Sequence, residues 1–337
     1  MRILTIGGSG FIGRFVTIEL ARRGHDVAVF HRAKSAVPTA RSIVGDRKQL
    51  RAHRDVIAAF QPDVIVDLVL SSEQQAQALV EVARGLSRRI VALSSMDVYR
   101  ACGVTHRLEP GPLEPLPLTE ESAVRTKLET YPPQQMVVLQ QVFGWLDDHY
   151  DKIPVERVVL GATDLEPIVL RLPMVYGPGD PLRRLLPITK RIADGRRGLI
   201  FPESLASWRA TRGYVENVAE AIALAAIAEP ARGIYNVGDP DTLTELAWAE
   251  QVARAMGWDG ELVVLPDDRT PPHLKLPGNT DQHWVVDTSK LRRELGYTES
   301  VDRDEAIRRT VAWERATPVV GFVPYQFDYA AEDAALG

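Results

Sequence analysis

Three features of the sequence predict an α/β chain built on a doubly wound parallel sheet. Short β-branched runs recur at residues 2–6, 27–31, 63–69, 90–94, 167–172 and 234–237. Most are nearly continuous apolar segments, the pattern of parallel strands covered on both faces. Helical spacing alternates with them: Phe11, Phe15 and Ile18 run beside Ile12, Val16 and Leu20, and residues 73–86 repeat the pattern. The third feature is the glycine turn GGSGFIG, which joins the first strand to the first helix.

In chain order, the first strand leads through that turn to a helix that Gly24 is placed to cap. Strand and helix then alternate through the first half. Residues 100–145, which hold LEPGPLEPLPLTEE and YPPQQ, are expected to form a long irregular insertion. Proline-rich stretches follow residue 176 and flank a strong helix at 217–228 and a strand at GIYNVG. Further helices are expected at 244–256, 288–295 and 303–313, and the aromatic tail after Pro318 should pack back on the body. This reading divides the chain into a sheet lobe at 1–175, to which 214–238 returns, and a smaller lobe made of 176–213 and 239–337.

Forty Lys and Arg stand against 45 Asp and Glu, a formal charge of −5 in 337 residues. That balance lacks the basic excess of a nucleic-acid or membrane-surface binder and favours a small-molecule partner, with a homodimer left open. The opening MRILTIGG enters a strand directly, and no 18-residue apolar run follows, so a cytoplasmic protein is expected. The single cysteine, Cys102, excludes an internal disulfide and a multi-cysteine metal site, and no metal is expected.

The glycine turn carries the strongest chemistry. Gly8, Gly10 and Gly13 fit G-x-G-x-x-G, and Gly7, Gly10 and Gly13 fit G-x-x-G-x-x-G. Glycines there let the backbone approach a pyrophosphate whose charge rests on helix N-terminal amides. The second strand ends VAVFHR, where an NAD site usually places Asp or Glu; Arg32 suits the 2′-phosphate of NADP instead. In GDRKQL, Asp46 is a candidate partner for the adenine amino group.

The motifs GGSGFIG, GDRKQL, ALSSMDVY, LRLPMVYGPGD, RGYVENVAEAIALA, GIYNVG and VDTSKLRRELGY occur in an order that resembles the extended short-chain dehydrogenase/reductase family, in its NAD-dependent epimerase/dehydratase branch. The resemblance implies a Rossmann-like lobe, a smaller C-terminal substrate lobe, and a Ser/Thr with a Tyr-x-x-x-Lys pair acting on a carbonyl or alcohol. The expected cofactor contacts are Gly7, Gly10, Phe11, Ile12, Gly13, His31, Arg32, Asp46, Lys152 and Pro173, with NADP preferred on the strength of Arg32 and NAD allowed. Ser95 matches the family's catalytic Ser/Thr. The dehydratases' Asp-Glu pair is replaced by Met96-Asp97, which leaves Asp97 as a substrate-binding candidate.

Lys152 and Glu156 match the family's Lys and the Glu after it, but the tyrosine four residues before the lysine is Asp148. Lys127 is a rival lysine, with Ala123 four residues before it. Pro154 is tolerated only in a first helical turn, so the helix should start near Asp151 and leave Tyr150 just outside it, free to reach Ser95. The candidate acid/base is therefore Tyr150, its pKa lowered by Lys152, with Asp148 or His149 as alternatives. Arg209 and Arg212 in SWRATRGYVEN are candidate anchors for a substrate anion. Together these features predict an NADP-preferring oxidoreductase or epimerase-like enzyme for a small polar substrate, a nucleotide sugar or natural-product intermediate. A non-redox lyase or cyclase on the same fold and a non-catalytic NADP-binding sensor are the alternatives.

Overall fold

The six β-branched runs join a seventh strand in one parallel sheet. The structure, a computed structural model, describes residues 1–32, 37–229 and 231–337. The sheet contains β1 (Arg2–Ile6), β2 (Asp26–His31), β3 (Arg41–Val44), β4 (Val64–Asp67), β5 (Arg89–Ser95), β6 (Glu166–Leu172) and, beyond two short pairs, β10 (Gly233–Asn236). Its order is β3-β2-β1-β4-β5-β6-β10, and every pairing is parallel. The chain runs outward from β1 to β3, then restarts at β4 on the other side of β1. That reversal opens a crevice at the carboxyl ends of the strands, where ligands of open α/β sheets bind.

Successive strand residues feed opposite faces. Ile3, Val64, Val66 and Val91 pack with α1 (Phe11–Arg22) and α9 (Val215–Ile227), whereas Leu4, Ile65, Ile90 and Ala92 pack with α2 (Arg54–Phe60), α3 (Glu73–Ala83) and α6 (Lys152–Leu160). Burial on both faces is why these strands read as unbroken apolar runs. β3 was missed in the sequence because RSIV is short and lies at the sheet edge, with only Ile43 buried.

Residues 100–145 are not simply irregular. They hold α4 (Arg100–Thr105) and α5 (Pro133–Val142), the latter started by prolines where a helix tolerates them. After β6, β7 (Met174–Tyr176) pairs with β9 (Arg212–Tyr214), and β8 (Gly198–Pro202) pairs with β11 (Glu261–Leu265). α7 (Leu186–Ala193), α8 (Glu203–Ser207), α10 (Glu245–Ala255), α11 (Ser289–Leu295) and α12 (Arg303–Ala316) complete this part. The tail does pack back: α13 (Tyr329–Leu336) buries Glu332 against Arg191 at 2.6 Å and His273 at 2.9 Å. Among the described residues no helix is long and apolar enough to cross a membrane.

Candidate active site

The glycine turn is built to hold an anion. Gly7 sits at φ +80°, a conformation that side chains disfavour. A Cβ on Gly13 would stand 2.2 Å from the Gly7 carbonyl oxygen and 2.8 Å from Gly8 Cα, so only glycine lets α1 close onto the turn. α1 starts at Gly10 with no side-chain cap and no acidic residue in its first turn, which leaves its N-terminal amides for a ligand. These features fit a dinucleotide pyrophosphate.

Around the adenosine end the predicted residues behave differently from one another. Arg32 is exposed at the end of β2, and among the described residues nothing engages its side chain. His31 is buried, with Nε2 2.7 Å from Ser42 Oγ, and burial lowers its pKa. Asp46 caps the short 3-10 turn at Arg47–His53 by accepting from the Lys48 amide at 2.9 Å.

At the other end of the crevice a cavity of about 240 Å³ collects Phe11, Ile12, Ser95, Asp97, Tyr150, Lys152 and Pro173. Ser95 ends β5, and its Oγ accepts from the Asp97 amide at 3.2 Å. Asp151 is the N-cap of α6, accepting from the Ile153 amide at 2.8 Å, with Pro154 in the first turn as expected. The loop before it is pinned by the Asp147 amide on Ser71 Oγ, by Ser72 Oγ on Asp147 and by the Asp151 amide on the Ser71 carbonyl. That pinning turns Tyr150 inward, and its hydroxyl donates to Asp97 Oδ2 at 3.0 Å.

Tyr131, from the YPPQQ stretch, was not anticipated as a site residue. Its hydroxyl donates to the same Asp97 oxygen at 3.2 Å, and its ring lies 6.0 Å from that of Tyr150. Arg125 was also missed: fully buried, it donates through Nε to the Asp97 carbonyl at 2.6 Å and reaches Asp151 at 3.2 Å. Neither could be read from local spacing, because both come from the insertion and meet Asp97 only in three dimensions.

The electrostatics depart from expectation. Asp97 is 3% exposed; burial pushes its carboxyl above the ordinary range, opposed by Arg125 and Lys152 and reinforced by Asp151. Lys152 is 4% exposed, and burial lowers its ammonium to about 8 against the pull of nearby carboxylates. Its Nζ donates to the Leu93 carbonyl at 3.0 Å and to the Leu70 carbonyl. It lies 5.6 Å from the Tyr150 ring centre, making no hydrogen bond to the hydroxyl. The expected lowering of the Tyr150 pKa is therefore overturned: burial, then the Asp97 carboxylate, push it well above the ordinary phenol value.

Asp148 is not brought to the cavity. It is exposed and accepts from Gln140 Nε2 at 2.9 Å, and His149 is exposed beside it. The helix begins only at Lys152, so the four-residue spacing that would align position 148 with the lysine does not apply. Lys127 is also exposed and does not line the cavity.

A second cavity, of about 690 Å³, adjoins the first at Arg184, which lines both. Arg212 lines it, 2.6 Å from Glu245 and stacked 4.4 Å over Trp248. Arg209 does not; it is exposed, its backbone bridging Thr244 and accepting from the Trp284 amide.

Known proteins resemble this chain over most of its length. The chain is 27% identical to a 3-diazoavenalumate denitrifying reductase of Streptomyces sp, over 82% of this chain and 86% of that one. It is 26% identical to a dTDP-glucose 4,6-dehydratase of Streptomyces niveus, over 94% and 93%. Among solved structures, the Bordetella bronchiseptica enzyme WbmG in complex with NAD superposes with a TM-score of 0.68 at 17% identity, covering 94% of each chain. MoeE5 in complex with UDP-glucuronic acid and NAD gives 0.66 at 18%, covering 94% of this chain and 99% of that one. The sequence pattern of the NAD dependent epimerase/dehydratase family matches residues 3–238, so the chain belongs to that family and is an enzyme of its NAD-dependent type.

Proposed function

We propose that the enzyme binds NADP in preference to NAD and transfers hydride at a carbonyl or secondary alcohol of a small polar molecule, a nucleotide sugar or natural-product intermediate. The observation that carries this reading is the convergence of Phe11 and Ile12, from the helix after the glycine turn, with Ser95, Tyr150 and Lys152 around one cavity. The nicotinamide, when bound, supplies or takes the hydride. Ser95 orients the substrate oxygen, since its Oγ accepts from the Asp97 amide and keeps its own proton to donate. Tyr150 exchanges the proton. Two of the three Lys152 donors are held by carbonyls, and the third serves the ribose hydroxyls.

NADP is preferred because Arg32, which no described residue engages, stands at the strand end where a 2′-phosphate would lie. The second cavity is lined by Arg184, Arg191, Arg212 and Lys275 against the single carboxylate of Glu245, which pairs Arg212, an excess of cations for a remote anionic group of the substrate. The reading supposes a cytoplasmic enzyme with small-molecule partners.

The test uses NADPH deuterated at nicotinamide C4, incubated with the enzyme and a panel of nucleotide-diphospho-keto-sugars and aryl ketones. Mass spectrometry should find the label in the product alcohol. Tight NADPH binding with no label transferred, but with substrate consumed, would instead favour the lyase or cyclase reading. Failure to bind either dinucleotide would overturn the proposal.

A further inference from the structure

Asp97 does not fit the usual division of labour in a hydride-transfer site. Its carboxyl lies against the reaction cavity, yet its Oδ2 is occupied by two phenolic hydroxyls, Tyr150 at 3.0 Å and Tyr131 at 3.2 Å, and its Oδ1 is buried without a partner. A phenol has one proton. With Tyr150 donating that proton to Asp97, its oxygen lone pairs remain to accept a hydrogen bond from the cavity side. The lysine that would otherwise serve the tyrosine is turned to the Leu70 and Leu93 carbonyls.

We propose that Asp97 is the terminal proton acceptor of this site and that Tyr150 relays to it the proton of a substrate hydroxyl. The inference rests on the hydride-transfer reading given above. In the oxidising direction the carbinol carbon gives up its hydrogen as hydride to the oxidised dinucleotide, and the C–O bond becomes C=O. The hydroxyl proton passes to Tyr150 Oη as the Tyr150 proton passes to Asp97 Oδ2, and the carboxyl proton leaves to solvent with product release. Carbonyl reduction runs the same steps backward, with Asp97 as the acid.

Charge around Asp97 permits both of its states. Arg125 and Lys152 face it with Asp151, so the ionised carboxylate completes a balanced set of two cations and two anions. Tyr131, Tyr150 and the buried Cys102 thiol are the other titratable groups against it, and His106 stacks on Tyr131 at 6.0 Å. Burial disfavours the anion and the cations favour it. Burial and the cations thus act on Asp97 in opposite directions, whereas burial and the Asp97 carboxylate both disfavour a phenolate at Tyr150.

The first test needs no substrate. Infrared pH titration of the cofactor-free protein, as the difference between wild type and Asp97→Asn, isolates the Asp97 carboxyl from Asp239 and Glu314, which burial also raises, to about 6 and about 7. A protonated-carboxyl band should persist above the ordinary carboxylate range. It should move to higher pH in Tyr150→Phe and in Tyr131→Phe, because each removes a donor that stabilises the carboxylate. Asp97 titrating as an ordinary carboxylate, insensitive to both substitutions, would overturn the proposal.

The second test follows alcohol oxidation with NADP⁺, using the alcohols that correspond to the carbonyl panel. Asp97→Asn and Tyr150→Phe should each lower kcat by about 10²- to 10⁴-fold, and Asp97→Asn should abolish the acid limb of the pH profile while leaving calorimetric NADPH affinity in place. Tyr131→Phe should keep the limb and shift it to higher pH. Loss of turnover in Asp97→Asn with a harmless Tyr150→Phe would mean that Asp97 acts directly, and the relay would be wrong. Loss of NADPH binding in the wild type would instead count against the functional reading itself.

Discussion

Glu156 and Arg171 form a bidentate ion pair in the interior, with Arg171 Nη2 2.7 Å from Oε2 and Nε 3.0 Å from Oε1. The side chains are 7% and 3% exposed, and Ser94 Oγ adds a hydrogen bond to the same carboxylate. The pair therefore fixes α6 to β5 and β6 one turn below Lys152, and so sets the depth of the cavity wall. Glu156→Ala would leave the guanidinium buried without its counter-charge, a loss of about 3–5 kcal/mol for a broken buried pair. Urea denaturation should show a shift of that order, with Glu156→Gln intermediate. A change below about 1 kcal/mol would place the pair among those that contribute little.

Lys152 should make stability pH-dependent. Burial lowers its pKa from 10.5 to about 8, so between these values the unfolded chain keeps a proton that the folded chain has lost. Stability then rises with pH through that window, and the burial cost is fully felt only below about 8. The shift corresponds to about 3 kcal/mol in all. Denaturation of wild type and Lys152→Met at several pH values between 7 and 10 should show wild type gaining on the variant as pH rises. Parallel curves would contradict the assigned shift.

The fold was legible because its determinants are local. Strand runs, helical spacing and the glycine turn each announce themselves within about a dozen residues, and all six predicted strands appear in the sheet. The placement of Tyr150 was legible too, through Pro154 and the Asp151 cap, since both constrain where a helix can begin. What surrounds Tyr150 was not. Tyr131 and Arg125 reach Asp97 across 34 and 28 positions of intervening chain, and nothing periodic links them. The sign of the Tyr150 shift was misjudged for the same reason: the lysine was visible two residues away, while the burial that dominates the shift, and the carboxylate 53 positions upstream that adds to it, exist only in the folded chain. Asp148 was weighed on a helical spacing from Lys152, but it stands four residues before the helix begins.

The exposed Arg32 sets the cofactor prediction. A charge-assisted pair with a 2′-phosphate contributes about 1.5–3 kcal/mol, or roughly tenfold to a hundredfold in affinity. Calorimetry should find NADPH bound more tightly than NADH by that factor, and Arg32→Ala should remove the difference without weakening NADH. Equal affinities in the wild type would return the site to NAD, the dinucleotide present in the superposed WbmG and MoeE5 structures.

The last prediction separates the inward tyrosine from the outward aspartate. Tyr150 lines the cavity and bonds Asp97, whereas Asp148 is exposed and bonded to Gln140. Tyr150→Phe keeps the ring against Tyr131 and Lys152 and removes only the hydroxyl, so it should leave NADPH affinity nearly unchanged and cost about 1–3 kcal/mol of stability for the donor lost to buried Asp97, while cutting turnover by about 10²- to 10⁴-fold. Asp148→Asn keeps the Gln140 hydrogen bond available and touches nothing in the cavity, so turnover should stay within about twofold of wild type, as for an exposed surface change. Single-turnover measurements with deuterated NADPH distinguish chemistry from release. If Asp148→Asn slows the chemical step while Tyr150→Phe does not, the loop before α6 must rearrange on cofactor binding and bring position 148 inward, and the assignment of the proton-transfer group would have to be reversed.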